Sequence, residues 1–213
     1  MDKIEKQKSS FINKPGEDDP VLTAMESYWQ TLRHAQRLPA RTDLVPSEID
    51  HVLPYSFILQ RVAPGVARFR VAGQRLNDLI KMDARGMPLT TLFDPFSRSQ
   101  IQDYVELAFA EPAIISLKLT SPGNMIRPTV TGTILLLPMR DHQENTSRLL
   151  GAIVTEPHSG TRPRRFAIDP HAPVRHEPLG LKLASTQVLP AEVIAAKKPD
   201  VTRPALRLVV NNG

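Results

Sequence analysis

The chain contains no cysteine. That absence removes a thiolate nucleophile, a thiolate zinc site and a redox thiol pair, and it agrees with a reducing compartment, so a cytoplasmic location is expected. No stretch comes near the ~18 to 20 consecutive apolar residues of a membrane span, and the charged start Met1-Asp2-Lys3-Ile4-Glu5-Lys6 lacks the apolar centre of a signal peptide. Catalytic signatures are missing as well. There is no Gly-x-Ser-x-Gly elbow, phosphate-binding Gly-rich loop, His-Glu-x-x-His pair or dinucleotide Gly fingerprint. Asp50-His51 and Asp141-His142 are only neighbours in loops, and no metal site is expected. These absences point away from an enzyme.

What is abundant is proline: 20 of 213 residues, about twice the usual ~5%, which marks linkers or tails. Eight of them lie beyond Glu156. The net charge of +5 is just as uneven, since residues 1 to 156 carry 18 basic and 18 acidic side chains and residues 157 to 213 carry nine and four. The division expected is a disordered stretch over 1 to 19, a folded domain over 20 to 156, and a Pro-rich basic tail over 157 to 213, largely disordered. Arg162, Arg164, Arg165, Lys197 and Lys198 give that tail a way to dock on nucleic acid or an anionic membrane, although a solvated linker is preferred. The apolar run from Ala205 to Val210 suits either a docking strand or folding back on the domain.

Periodicity supplies the elements. Leu22, Met25, Tyr28, Trp29, Leu32 and Ala35 follow at three- and four-residue steps, which predicts an amphipathic helix from Pro20 to about Arg37. Tyr55 to Val62 alternates as a strand, with Phe57 and Leu59 on one face. Ala63-Pro64-Gly65 turns the chain into a second strand, Arg68 to Ala72, where Phe69 and Val71 face one way and Arg68 and Arg70 the other. Gly73 ends it where glycine can take φ > 0. Helical spacing resumes through Leu76, Leu79 and Ile80, a single turn is expected at Thr90 to Phe93, and a longer helix over Ser97 to Glu111. Ala113 to Leu119, Thr129 to Leu137 and Leu149 to Thr155 complete five strands. The fold class expected is α+β, a five-stranded antiparallel sheet with helices on one face, an N-terminal helix and an extended C-terminal tail.

Several motifs stand at distinctive spacing: Trp29 in the first helix, the turn Pro39-Ala40-Arg41-Thr42-Asp43, the step Leu53-Pro54, the strand end Phe69-Arg70-Val71-Ala72-Gly73, and Gly86-Met87-Pro88-Leu89. Together with the element order they resemble PAS sensor domains, and among these a stand-alone branch common in alphaproteobacteria. The likeness runs from about Leu22 to Thr155. Lys81-Met82 departs from a Phe-Gly step typical of that branch.

The resemblance implies signal sensing or protein interaction rather than catalysis. Cofactors of such domains sit between sheet and helices, so Phe57, Leu59, Phe69, Val71, Leu76, Leu79, Leu92 and Ile101 are pocket candidates, with simple core packing as the alternative. A photoactive flavin adduct or a thioester-linked chromophore needs a cysteine and is excluded. Heme needs an axial ligand, most often His, and neither Gln74 to Phe93 nor Ser97 to Glu111 contains one. A noncovalent flavin or a small apolar metabolite stays open. Trp29, Tyr28 and Leu32 serve either the chain's own sheet or a homodimer interface. Arg41 and Asp43 are expected to pin the turn, with Arg70 and Gly73 as further structural positions. The role expected is that of a bacterial signal-transduction sensor that works by contact with another signalling protein.

Overall fold

In the computed structural model, which describes residues 19–33, 37–125, 127–157 and 162–180, the first element is α1 (Pro20–Thr31). Asp19 caps it, its carboxylate accepting the amides of Val21 and Leu22 at 2.8 and 3.3 Å. Pro20 occupies the first turn, where a missing N–H leaves nothing unpaired. The helix ends at Thr31, short of the expected Arg37, because Leu38 and Ala40 are buried against the sheet and Ala40 bridges Arg140.

The five expected strands are present as β1 (Ser56–Ala63), β2 (Val66–Ala72), β3 (Ala113–Ser121), β4 (Val130–Arg140) and β5 (Thr146–Thr155). They lie in the order β2-β1-β5-β4-β3, every neighbour antiparallel. Hairpins join consecutive strands on either side, and the long connection holding α2 (Gln74–Ile80) and α3 (Arg98–Ala110) lets the first and last of the five pair at the centre. Alternation along each strand splits the apolar residues between two faces. One face, with Phe57, Leu59, Ile115 and Ile134, packs under α2 and α3; the other, with Ile58, Ile114, Leu135 and Leu150, packs under α1. Pro138 is tolerated within β4 because β3 pairs with β4 only as far as Leu136.

The segment beyond Glu156 departs from expectation. Its described residues, 162–180, are not a disordered tail: β6 (Ala167–Ile168) and β7 (Arg175–Pro178) both pair antiparallel with β3, extending the sheet to seven strands. The physical reason is an edge. Without them β3 would present unpaired backbone along its outer side, and Phe166 and Ile168 would leave a gap in the core. Phe166 is fully buried; its amide donates to Leu92 O at 2.8 Å and its carbonyl accepts the amide of Asp94 at 3.0 Å. Lys197, Lys198, the run 205–210 and residues 1–18 lie outside the described residues.

Arg175 locks β7 to α1. Its Nη1 and Nη2 donate to the Glu26 carboxylate at 2.6 and 2.7 Å, and Nη2 and Nε donate to Glu177 at 2.7 and 3.2 Å. The hydrogen bonds it donates to Glu26 hold the guanidinium pKa above its ordinary value against the opposing effect of burial. Glu26→Ala should therefore cost about 2 kcal/mol, a loss read as a lower urea midpoint at unchanged slope. An unchanged midpoint would show that Arg175 does not hold this edge.

Candidate functional site

The helix-covered face of the sheet is where the sequence places its pocket candidates. Phe57 and Phe69 cross edge to face, centroids 5.4 Å apart at 87°, and Leu59, Leu76, Leu79, Leu92 and Ile101 complete a continuous buried layer with them. Val71 does not join it and is 42% exposed. The cause is a bulge: Leu59 pairs with Phe69 but Ile58 pairs with Val71, so Arg70 is the extra residue and the expected alternation reverses beyond it. Between β2, the turn Leu89–Leu92 and α3 a cleft of about 20 Å³ is lined by Ala67, Leu89, Ile101 and Val105. A single water needs ~10 to 15 Å³, and small-molecule sites run to ~300 Å³ or more.

Four charged residues of the β1–β2 hairpin and α3 are paired with neighbours. Arg61 pairs with Glu106 of α3 and lies over the Phe109 ring, 5.7 Å from its centroid; the second Glu106 oxygen accepts the Gly65 amide at 2.8 Å. On β2, Arg68 donates to Gly86 O at 2.7 Å and Arg70 Nε to Gln60 Oε1 at 2.6 Å. The basic strand face is thus committed to neighbouring acceptors.

The family-like motifs converge pairwise. Gly73 has φ −71°, so the expectation of a positive φ is wrong. Its requirement is space: a Cβ there would lie 2.6 Å from Pro54 C and closer still to the Leu53 and Pro54 carbonyl oxygens. The strand end and the Leu-Pro step are two sides of one backbone contact. The turn at Pro39 is pinned by Arg140, whose amide donates to Pro39 O at 2.9 Å and whose Nε donates to Leu38 O at 2.8 Å. Asp43 accepts the Ala40 amide at 2.8 Å and lies 3.8 Å from Arg140 Nη2. Of the two residues expected to pin the turn, Asp43 does so through the Ala40 backbone amide with Arg140 beside it, and Arg41 is exposed. Lys81 caps α2 at φ 60°, a left-handed conformation, and Met82 after it is exposed.

The interface candidates are also reassigned. Trp29 is fully buried and donates its indole N–H to Pro138 O at 3.0 Å; Tyr28 Oη accepts the Val45 amide at 2.6 Å; Leu32 is half-buried against the same cluster. All three are used by the chain's own outer sheet face, because β4 and β5 present Leu135, Leu137, Met139 and Leu150 there and the helix covers them. Exposed apolar side chains are found elsewhere, at Val62 and Val71 of the β1–β2 hairpin and at Phe96 ahead of α3.

Of the basic residues assigned to the tail, Arg162 is exposed, Arg165 is half-buried and Arg164 is inside the fold. Composition hid Arg164, since a basic, proline-flanked segment reads as solvated; the alternation Phe166-Ala167-Ile168 was the signal for a strand. Among the described residues no group of three His, Asp or Glu side chains is placed to hold a metal ion, and no helix is long and apolar enough to cross a membrane.

A family model described as a PAS domain matches residues 18–154. Solved structures similar to the chain include the light-state and dark-state structures of the blue-light photoreceptor Aureochrome1 LOV. The first is 15% identical with a TM-score of 0.37, covering 54% of this chain and 89% of that one. The second is 14% identical with a TM-score of 0.38, covering 51% and 80%. An RNA-binding Light-Oxygen-Voltage receptor is 15% identical with a TM-score of 0.38, over 53% of this chain and 33% of that one. No curated protein matches the chain.

Proposed function

The chain belongs to the PAS domain family, a family of sensory domains, and from that premise we propose that it is a regulatory protein that passes its signal to another signalling protein by direct contact. The observation that carries this reading is the packed layer between sheet and helices. A flavin or metabolite receptor needs a cleft of ~300 Å³ or more inside that layer, whereas the side chains of Phe57, Phe69, Leu76, Leu92 and Ile101 fill it beside a cleft of about 20 Å³; a larger cleft, about 440 Å³, reaches only Leu79 and Ile153 at the layer's edge and is otherwise bordered by Tyr55, Arg75, Asp78, Lys81 and Glu156. With Trp29 and Tyr28 used internally, the contact surface consistent with the exposed side chains is the outer face of the β1–β2 hairpin, around Val62 and Val71. Val71 is turned outward by the bulge at Arg70, and Val62 lies on the outer face in alternation with Ile58 and Gln60, beside the second irregularity of the pair.

The reading has a two-part test. Native mass spectrometry and absorbance of the purified protein should give the mass of the bare chain and no visible absorption band; a bound flavin or metabolite would overturn the proposal in favour of a receptor. Val71→Lys should leave the unfolding midpoint within about 0.5 kcal/mol of wild type while weakening capture of the partner from extract. Retained capture by a folded Val71→Lys, Val62→Lys double variant would place the contact elsewhere.

A further inference from the structure

Among the described residues Arg164 and Arg175 both have little exposed side chain, and they are treated in opposite ways. Arg175 has both edges of its guanidinium satisfied by Glu26 and Glu177. Arg164 is 3% exposed, and only its Nη1 has a partner, the Pro128 carbonyl at 3.0 Å. Its Nε and Nη2 are buried without a hydrogen-bond partner. Those two nitrogens form the side-on fork, the planar pair of donors whose geometry matches two oxygens of a carboxylate or phosphate.

The surroundings add positive charge. Arg127 lies close enough that its charge, after burial itself, lowers the Arg164 pKa from its ordinary value. Arg127 Nη2 donates to the carbonyl of Arg162 at 3.2 Å, so the loop before β4 and the segment before β6 are held together at this point. No ion pair joins either arginine to a carboxylate among the described residues. A cation beside a second cation, with two donors unmade, is unfavourable unless an anion completes it. The backbone fixes the side chain in this position, since the Arg164 amide donates to Leu79 O at 2.8 Å at the end of α2.

We propose that the side-on fork of Arg164, with Arg127 beside it, is a binding site for a small oxyanion. The ligand takes two hydrogen bonds from Nε and Nη2, and its charge offsets the repulsion between the two guanidinium groups. Bound there, the anion bridges α2, the loop before β4 and the segment before β6, so occupancy stiffens the edge of the sheet where β6 begins. This site is separate from the sheet–helix layer and stands whether or not the chain works through partner contact.

The test is thermal unfolding of the full chain in inorganic phosphate, in succinate and in chloride at matched pH and ionic strength. A rise of about 5 °C at a hundredfold excess over Kd, in phosphate or succinate but not chloride, supports the site. Whichever anion gives the larger rise identifies the ligand as tetrahedral or planar. Arg164→Gln should abolish the rise, and Arg127→Gln, which leaves the fork in place, should weaken binding about tenfold. Should Arg164→Gln fail to fold, Arg127→Gln carries the comparison. Equal melting of the wild type in all three anions overturns the proposal, as does an undiminished phosphate rise in a folded Arg164→Gln or in Arg127→Gln.

Discussion

Trp29→Ala is expected to destabilise the folded chain by about 3 to 5 kcal/mol. The indole is fully buried between α1 and the outer face of β4 and β5, and its removal opens a cavity and leaves the Pro138 carbonyl without its 3.0 Å donor. Because this is the only tryptophan, unfolding should be followed by circular dichroism rather than fluorescence. Trp29→Phe separates the two contributions: it keeps an aromatic ring, loses the N–H, and should cost about 1 to 3 kcal/mol, the range of one unsatisfied buried acceptor. An interface tryptophan would behave differently, shifting the protein between oligomeric states while the midpoint at low concentration stayed put. Either variant leaving the urea midpoint unchanged would remove α1 from the outer sheet face.

Gly73→Ala should cost about 3 kcal/mol although alanine is comfortable at φ −71°. The added methyl meets the Leu53 and Pro54 carbonyls, which are backbone and cannot rotate away as a side chain would. The turn Leu53–Tyr55 or the end of β2 must shift, and with it the Gly73 amide that donates to Ser56 O at 2.8 Å. Gly86→Ala is the matched control: φ is +80° and nothing lies within 4 Å, so only the conformational penalty of about 1 to 2 kcal/mol applies. If the two substitutions cost the same, close approach is not what Gly73 is for.

Much of the frame was legible in the residues. Period-two alternation located the five main strands, because each buries one face or both, and three- and four-residue spacing located α1 and α3. Where the reading failed, a local irregularity or a distant partner was responsible. Val71 was assigned to the core because alternation assumes an unbroken register, and the bulge at Arg70 is set by pairing with β1. Arg41 was expected to help pin the turn because it lies within it, whereas the arginine that holds the turn, Arg140, arrives from about 100 positions away (Arg140 to Leu38, 102). Arg164, Phe166 and Ile168 were read as tail because composition averages over a segment. Three well-placed side chains in a proline-rich stretch hardly alter that average.

The sequence by itself determined the class of fold, the family, and the chemistries closed to it, since each depends on local periodicity, motif spacing or the absence of a residue type. Cysteine photochemistry, for instance, needs no coordinates to dismiss. Only the tertiary structure decided which face each amphipathic element spends, that Trp29 belongs to its own sheet, that residues 167–178 close the β3 edge, and that one arginine fork is left open. Those outcomes depend on contacts between residues far apart in the chain, where burial and hydrogen-bond satisfaction are settled jointly and no single segment carries the answer.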